Sequence, residues 1–222
     1  MTVMAFIAVI IIGYLLGSIP VGVLVGKKLV GKDPRQIGSG KMGATNVLRL
    51  AGKKAAALVA ILDIAKGAIP VIVAGMVVGS DYLNVGGFGV GRLTAQVLAA
   101  LAGVAGHNWP IFLKFRGGRG VATFFGGLIA LCPAAAIVGG EALFISAGLT
   151  RYVSLGSIVG VVGTCAILVP LTFINNFPIE YLIYSLVGSA IIIIMHKDNI
   201  SRLMAGNERK LGEKLPATDA GH

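Results

Sequence analysis

Three polar clusters interrupt a chain that is otherwise a succession of apolar runs. The first, residues 37–46, reads Ile-Gly-Ser-Gly-Lys-Met-Gly-Ala-Thr-Asn and is followed by Arg49. Its glycines, Gly38, Gly40 and Gly43, can turn backbone N–H groups toward an anion, and a helix starting after them adds its positive end. The same glycines also suit a plain flexible turn. The order matches Gly-x-Gly-x-x-Gly, with Asp63 beyond it. No strand precedes the glycines and Asp63 lies in an apolar run, so the context of a dinucleotide site is missing. The second cluster holds Gly106-His107-Asn108-Trp109-Pro110 and then Phe115-Arg116-Gly117-Gly118-Arg119-Gly120. Gly-Gly-Arg-Gly at a helix entrance makes a phosphate nest, with Arg119 supplying charge. It reads equally as a basic loop with Trp109 anchoring the membrane interface. The third cluster is divided between Arg151-Tyr152-Val153-Ser154 and the segment from His196 to Arg202. A histidine at a helix end is commonly a cap. Here His196, Asn199 and Arg202 recur every three residues and share a face if the segment is helical.

Arg49, Lys66, Arg119 and His196 thus surround two glycine loops that also carry Ser39, Ser154 and several asparagines. That inventory binds anions and points to a phosphate-bearing substrate. Nothing in it resembles a metal site. There are three histidines, and the two cysteines, Cys132 and Cys165, sit apart in apolar segments as small buried hydrophobes. Asp63 and Lys66 are three apart inside an apolar run and can pair within the bundle, a structural use, although Lys66 can also reach toward the surface. Glu141 has no evident partner in sequence.

The elements that hold these clusters are membrane helices. The 222 residues are 56% hydrophobic and 13% charged, with mean hydropathy +0.89. A soluble domain carries about 25% charged residues. Runs over 4–25, 55–79, 92–107, 155–174 and 179–195 each approach the roughly 20 residues a crossing needs. The run 121–149 is too long for one span and is interrupted by Cys132-Pro133, so it reads as two helices folded back. The first run lacks a basic start and a cleavage pattern, and so reads as a retained span. Lys and Arg concentrate in 27–54, 107–120, at Arg151 and after 196, and are nearly absent from 80–91 and 175–178. Cationic short loops stay cytoplasmic. The expected fold is an all-α, polytopic integral membrane bundle of seven transmembrane helices, N-terminus outside and C-terminus cytoplasmic. The net charge of +10 is then largely a topology signal, not a nucleic-acid footprint. Residues 1–211 form one domain, and 212–222 a polar, disordered tail.

The segments "YLLGSIP", "GSGKMGATN", "KGAIP", "GHNWPIFLKFRGGRGVAT", "RYVSLGS", "HKDNISRL" and "GNERKLG" occur in that order. They resemble the bacterial membrane acyltransferases of the PlsY family, over nearly the whole chain. The resemblance implies a seven-helix bundle in the bacterial inner membrane with its site facing the cytoplasm. It also implies a reaction in which the 1-hydroxyl of glycerol 3-phosphate attacks the carbonyl of an acyl phosphate, giving lysophosphatidic acid and inorganic phosphate for phospholipid synthesis. By the same resemblance no cofactor, coenzyme A or acyl carrier protein is expected to take part directly, and a functional link to the enzyme that makes acyl phosphate is implied. The resemblance assigns catalytic roles to Ser39, His196 and Asn199. It assigns substrate binding to Gly38, Gly40, Asn46, Arg49, Lys66, Gly117, Gly118, Arg119, Gly120 and Ser154. Two positions depart from its usual pattern. Arg119 stands where Lys is common, replacing a point charge by a planar fork, and Lys41 stands where Asn is frequent. The His-x-x-x-x-Asp device of other acyltransferases is missing, leaving His196 or a substrate phosphate to accept the proton. A transporter of phosphate esters is the competing expectation. It normally binds at the midplane on broken helices of paired repeats, whereas these motifs gather at one side and no repeat is visible.

Overall fold

The computed structural model describes residues 2–86 and 88–213. Among them run nine α-helices: α1 (Thr2–Ser18), α2 (Val21–Val30), α3 (Ala44–Val78), α4 (Arg92–Asn108), α5 (Val121–Leu131), α6 (Pro133–Thr150), α7 (Val153–Phe173), α8 (Ile179–Met195) and α9 (Lys197–Met204). Four runs are long and apolar enough to cross a membrane: Val3–Val30, which takes in α1 and α2, and the whole of α3, α6 and α7. A fifth is added if α8 and α9, bent by 61°, are taken together. With 17 residues in α4 and 11 in α5, both fall below the roughly 20 that span a bilayer core unaided. Length and composition thus establish four or five full spans in a multi-pass helical bundle.

Local chemistry explains where the helices break. The first apolar run divides at Ile19-Pro20, because proline carries no N–H and cannot continue the ladder of α1. α3 begins earlier than the expected 55, at Ala44, but Gly52 leaves the helical region (φ 80, ψ −177). Only glycine takes that conformation cheaply. The break separates a short surface segment from the membrane-length remainder. The long run 121–149 divides at Cys132, and Pro133 opens α6 at a position that needs no N–H. α5 and α6 pack against each other.

One feature departs from the all-α expectation: β1 (Leu83–Val85) pairs antiparallel with β2 (Phe88–Val90), Leu83 opposite Val90. The residues between are Gly86-Gly87, and Gly86 takes φ 59, as a tight hairpin turn requires. Of the tail expected over 212–222, only Gly212 and Glu213 lie among the described residues.

Helices pack through small residues, since lipid gives no hydrophobic drive between them and van der Waals contact must do the work. Gly17 of α1 faces the backbone carbonyl of Gly103 on α4, and Gly67 of α3 faces that of Thr123 on α5; neither position has room for a Cβ. At the bundle centre Phe124 stacks on Tyr184, with centroids 5.1 Å apart, and the Tyr184 hydroxyl donates to the Phe124 carbonyl at 2.9 Å. This packing brings the beginnings of α3, α5 and α7 and the ends of α4 and α8 to one place.

Candidate active site

That place is a cavity of about 410 Å3. Ser39, Asn46, Arg49, Arg119, Gly120, Ser154, His196 and Asn199 line it, so residues from all three polar clusters share one wall. Gly38, Gly40, Lys66, Gly117 and Gly118 do not line it. Five cations, Lys41, Arg49, Arg119, Arg202 and Arg209, face two carboxylates, Asp63 and Glu208. Both carboxylates are already paired, Asp63 with Lys66 at 2.8 Å and Glu208 with Arg202 at 2.7 Å.

The loop before α3 is held by Asn46, which is 2% exposed. Its two amide protons are shared among the carbonyls of Pro34, Ile37 and Lys41, and its Oδ1 accepts the Ser39 N–H at 3.3 Å. Every polar atom of Asn46 therefore shapes the loop. Gly38 and Gly40, at φ 55 and 66, let the chain turn there. The Ser39 hydroxyl is left on the cavity wall with no protein partner among the described residues. Burial is the main reason the Lys41 ammonium falls below the ordinary lysine range, and the Arg119 charge adds to it.

The loop before α5 is pinned to the end of α4. Gly117 donates its N–H to the Asn108 carbonyl at 3.2 Å, and Gly118 donates to that of His107 at 3.0 Å. These two N–H groups are thus committed within the protein. A Cβ at Gly118 would collide with the His107 ring, and one at Gly117 with the His107 carbonyl. The glycine run is explained by close packing, and what it delivers to the cavity is Arg119. The Nε of that guanidinium is buried with no hydrogen-bond partner. Burial is the largest influence pulling Arg119 down to about 10; the Glu208 carboxylate opposes the fall, and Arg202 and Arg49 deepen it. A buried guanidinium with an unused donor among other cations is relieved by an arriving anion.

Lys66 is placed differently from the expectation. Its ammonium is 2.8 Å from Asp63 and donates to the Ile19 carbonyl at 2.9 Å, where α1 breaks. It is a tie between α3 and the α1–α2 break. His107 Nδ1 lies 3.5 Å from the same Asp63 oxygen. A histidine–aspartate pair does exist here, assembled from two helices instead of one motif, and spacing along the chain gives no sign of it.

Glu208 is the residue the sequence hides best. It lies in a segment after α9 that doubles back across the start of α7. Leu211 N–H donates to the Arg151 carbonyl at 2.7 Å, and Arg151 Nη2 returns a bond to the Leu211 carbonyl at 2.9 Å. Lys210 stands 5.7 Å from the Tyr152 ring centroid. Glu208 accepts from Ser154 Oγ at 2.8 Å, Asn199 Nδ2 at 2.6 Å and Arg202 Nε at 2.7 Å. Burial opposes its ionisation, but those hydrogen bonds from Asn199, Ser154 and Arg202 outweigh it and hold the carboxyl below its ordinary range.

Away from the charges the wall turns apolar. Val121, Phe125 and Ile129 of α5 continue into Ala136, Leu143 and Phe144 of α6. From Val121 to Ile129 the groove runs about 12 Å along α5. Phe144, 76% exposed, marks where it meets the lipid-facing surface.

The fold and the cavity define an integral membrane helical bundle with a cationic chamber that continues into an apolar groove. Comparison with known proteins narrows the class. Residues 7–206 match the glycerol-3-phosphate acyltransferase family model. The chain is 61% identical over 214 residues to "Glycerol-3-phosphate acyltransferase 3" of Dehalococcoides mccartyi (strain 195), covering 96% of this chain and 99% of that one. It is 39% identical over 213 residues to "Glycerol-3-phosphate acyltransferase" of Shouchella clausii, covering 96% and 98%. The crystal structure of PlsY (YgiH), an integral membrane glycerol 3-phosphate acyltransferase, in its glycerol 3-phosphate form superimposes with TM-score 0.80 at 36% identity, over 93% of this chain and 96% of that one. The lysophosphatidic acid form gives 0.78 at 34% identity, over 93% and 95%. The chain belongs to the glycerol-3-phosphate acyltransferase family, the PlsY proteins.

Proposed function

We propose that this chain transfers a fatty acyl group from an acyl phosphate to the 1-hydroxyl of glycerol 3-phosphate. The observation that carries the reading is the continuity of one cavity: five cations at one end, an apolar groove reaching lipid at the other. Two phosphorylated substrates require an excess of positive charge, and one acyl chain requires the groove. The hydroxyl oxygen attacks the acyl carbonyl carbon, the bond from that carbon to the phosphate oxygen breaks, and inorganic phosphate leaves. The hydroxyl proton passes to a substrate phosphate, whose second pKa near about 6 suits the task. The donor is already activated, so the protein's part is to position both molecules and stabilise the tetrahedral oxyanion. The Arg119 Nε, buried without a partner, and the Ser39 hydroxyl stand among the donors at the site. Arg49 and Lys41 hold phosphate, and His196 supports the attacking hydroxyl.

The same reading places seven crossings in the bacterial inner membrane, with the N-terminus outside and the site on the cytoplasmic face. On this reading α5 and α6 each cross, so that the cationic loop 107–120 and Arg151 share that side. Acyl phosphate is drawn from the enzyme that makes it, without direct use of coenzyme A or acyl carrier protein.

The test is release of inorganic phosphate from acyl phosphate by purified protein in detergent. Release dependent on glycerol 3-phosphate, lost in Ser39→Ala, Arg119→Ala and His196→Ala, supports the reading. Full activity in all three variants removes the site assignment. A transporter needs a sealed vesicle and shows no such release.

A further inference from the structure

We propose that a second cavity, behind Arg49, seats the phosphomonoester headgroup of a membrane lipid and, when filled, weakens the hold on glycerol 3-phosphate. The effect on turnover rests on the acyltransferase reading above; the binding of the lipid does not.

This cavity measures about 770 Å3 and lies between the end of α2, the start of α3 and the segment after α9. Lys32, Arg49 and Lys53 line it, and Glu213 is the one carboxylate on its wall. Glu213 already accepts the Lys210 N–H at 2.8 Å. Lys32 and Lys53 form no ion pair among the described residues. Three cations against one carboxylate leave a surplus of two positive charges. A phosphate monoester carries about −1.5 to −2 at pH 7 and matches that surplus. A phosphodiester headgroup brings a single negative charge and leaves half of it unmet. The sequence after Glu213 brings Lys214 against Asp219, and so no surplus of acidic side chains to fill the site.

The remainder of the wall is apolar: Val30, Ile37, Leu48, Leu50 and Leu211. A free phosphate gains nothing from such a wall, whereas the first methylenes of a lipid do. The position agrees. Val30 ends one membrane-length run, and Lys53 follows the Gly52 break in another. The cavity therefore sits where two spans leave the bilayer, the depth at which basic pockets hold anionic headgroups.

Arg49 joins the two cavities, for it lines this one and the substrate cavity alike. A headgroup on one side and a substrate phosphate on the other draw on the same guanidinium. Each weakens the other, and the coupling is reciprocal.

The experiment compares wild type with the double variant Lys32→Ala/Lys53→Ala. Both lysines are exposed and neither lines the substrate cavity, so basal activity is expected to be unchanged. Phosphatidic acid, phosphatidylglycerol or inorganic phosphate is added to the protein in detergent micelles. Bound lipid is counted by native mass spectrometry, and KM for glycerol 3-phosphate is measured by phosphate release. Wild type is expected to bind one more phosphatidic acid than the double variant. Phosphatidic acid is expected to raise the wild-type KM about fivefold and that of the double variant by less than about twofold. Phosphatidylglycerol and inorganic phosphate are expected to leave the two proteins alike. Equal lipid counts, or equal inhibition of both proteins by phosphatidic acid, place the lipid in the substrate cavity alone and overturn the proposal. So does phosphatidylglycerol or inorganic phosphate acting on wild type as strongly as phosphatidic acid. If no sample releases phosphate with glycerol 3-phosphate, the acyltransferase reading fails instead, and the lipid count still decides the site.

Discussion

Two clusters in this bundle set a carboxylate against a cation, and they serve opposite ends. Asp63, Lys66 and His107 lie between helices, each at most 4% exposed, and Lys66 neutralises Asp63 at 2.8 Å. Glu208 lies on a cavity wall with five cations, Lys41, Arg49, Arg119, Arg202 and Arg209, and the two carboxylates that line the cavity cannot balance them. The first cluster is electrically closed and holds helices together. The second is open, and its imbalance is what a phosphate completes. Membrane-depth charge alone does not separate the two cases; the local balance of charge does.

The comparison can be broken most forcibly at Asp63. Asp63→Ala leaves Lys66 buried and uncompensated, which costs about 3–5 kcal/mol, read as a fall in thermal unfolding temperature in detergent. Adding Lys66→Met removes the stranded charge and is expected to recover much of the loss. A double variant no better than the single one would show that the pair is not closed. At the open cluster, Arg119→Ala is expected to lower kcat/KM by about 10²–10³-fold with little change in unfolding temperature, whereas Arg119→Lys keeps the charge and most of the rate. A stability loss matching that of Asp63→Ala would erase the distinction between the clusters.

Acid pH sharpens the contrast more gently. The Glu208 carboxyl is held below its ordinary 4.5 in the folded protein. Its stabilisation is therefore present above the unfolded value and is lost as pH falls through the lower folded one. The unfolding temperature of wild type is expected to exceed that of Glu208→Gln at pH 7 and to converge with it on the acid side of 4.5. A gap unchanged down to pH 3 would contradict the role given to the carboxylate. The smallest effect belongs to Lys54, exposed and outside both clusters: Lys54→Ala is expected to change stability by less than about 0.5 kcal/mol and activity not measurably.

Much of this was legible in the residues. The span over 179–195 ends where the sequence places it, because its apolar run is unbroken and stops at His196. The division of 121–149 at Pro133 was legible because proline has no N–H to give. The gathering of Ser39, Arg119 and His196 at one cavity followed from the positive-charge pattern, which puts their loops on one side. Glu208 was not legible. In sequence it is one acid in a polar stretch near the end, and only the fold carries that stretch back over α7. The Gly117-Gly118 pair reads from sequence either as an anion nest or as part of a basic interface loop, because glycine spacing shows that N–H groups can turn, not which carbonyl takes them. The resemblance puts Lys66 at the substrate, whereas its spacing from Asp63 along the helix already permits the pair that forms; the carbonyl freed at Ile19 by the break in α1 is invisible without coordinates.

The central claim is that one cavity holds both phosphorylated substrates for direct acyl transfer. It is tested most directly by mixing purified protein in detergent with acyl phosphate and following inorganic phosphate and lysophosphatidic acid together. The account predicts that the two products appear in equal amounts, only when glycerol 3-phosphate is present. Phosphate released at the same rate without glycerol 3-phosphate, or no lysophosphatidic acid at all, would contradict it.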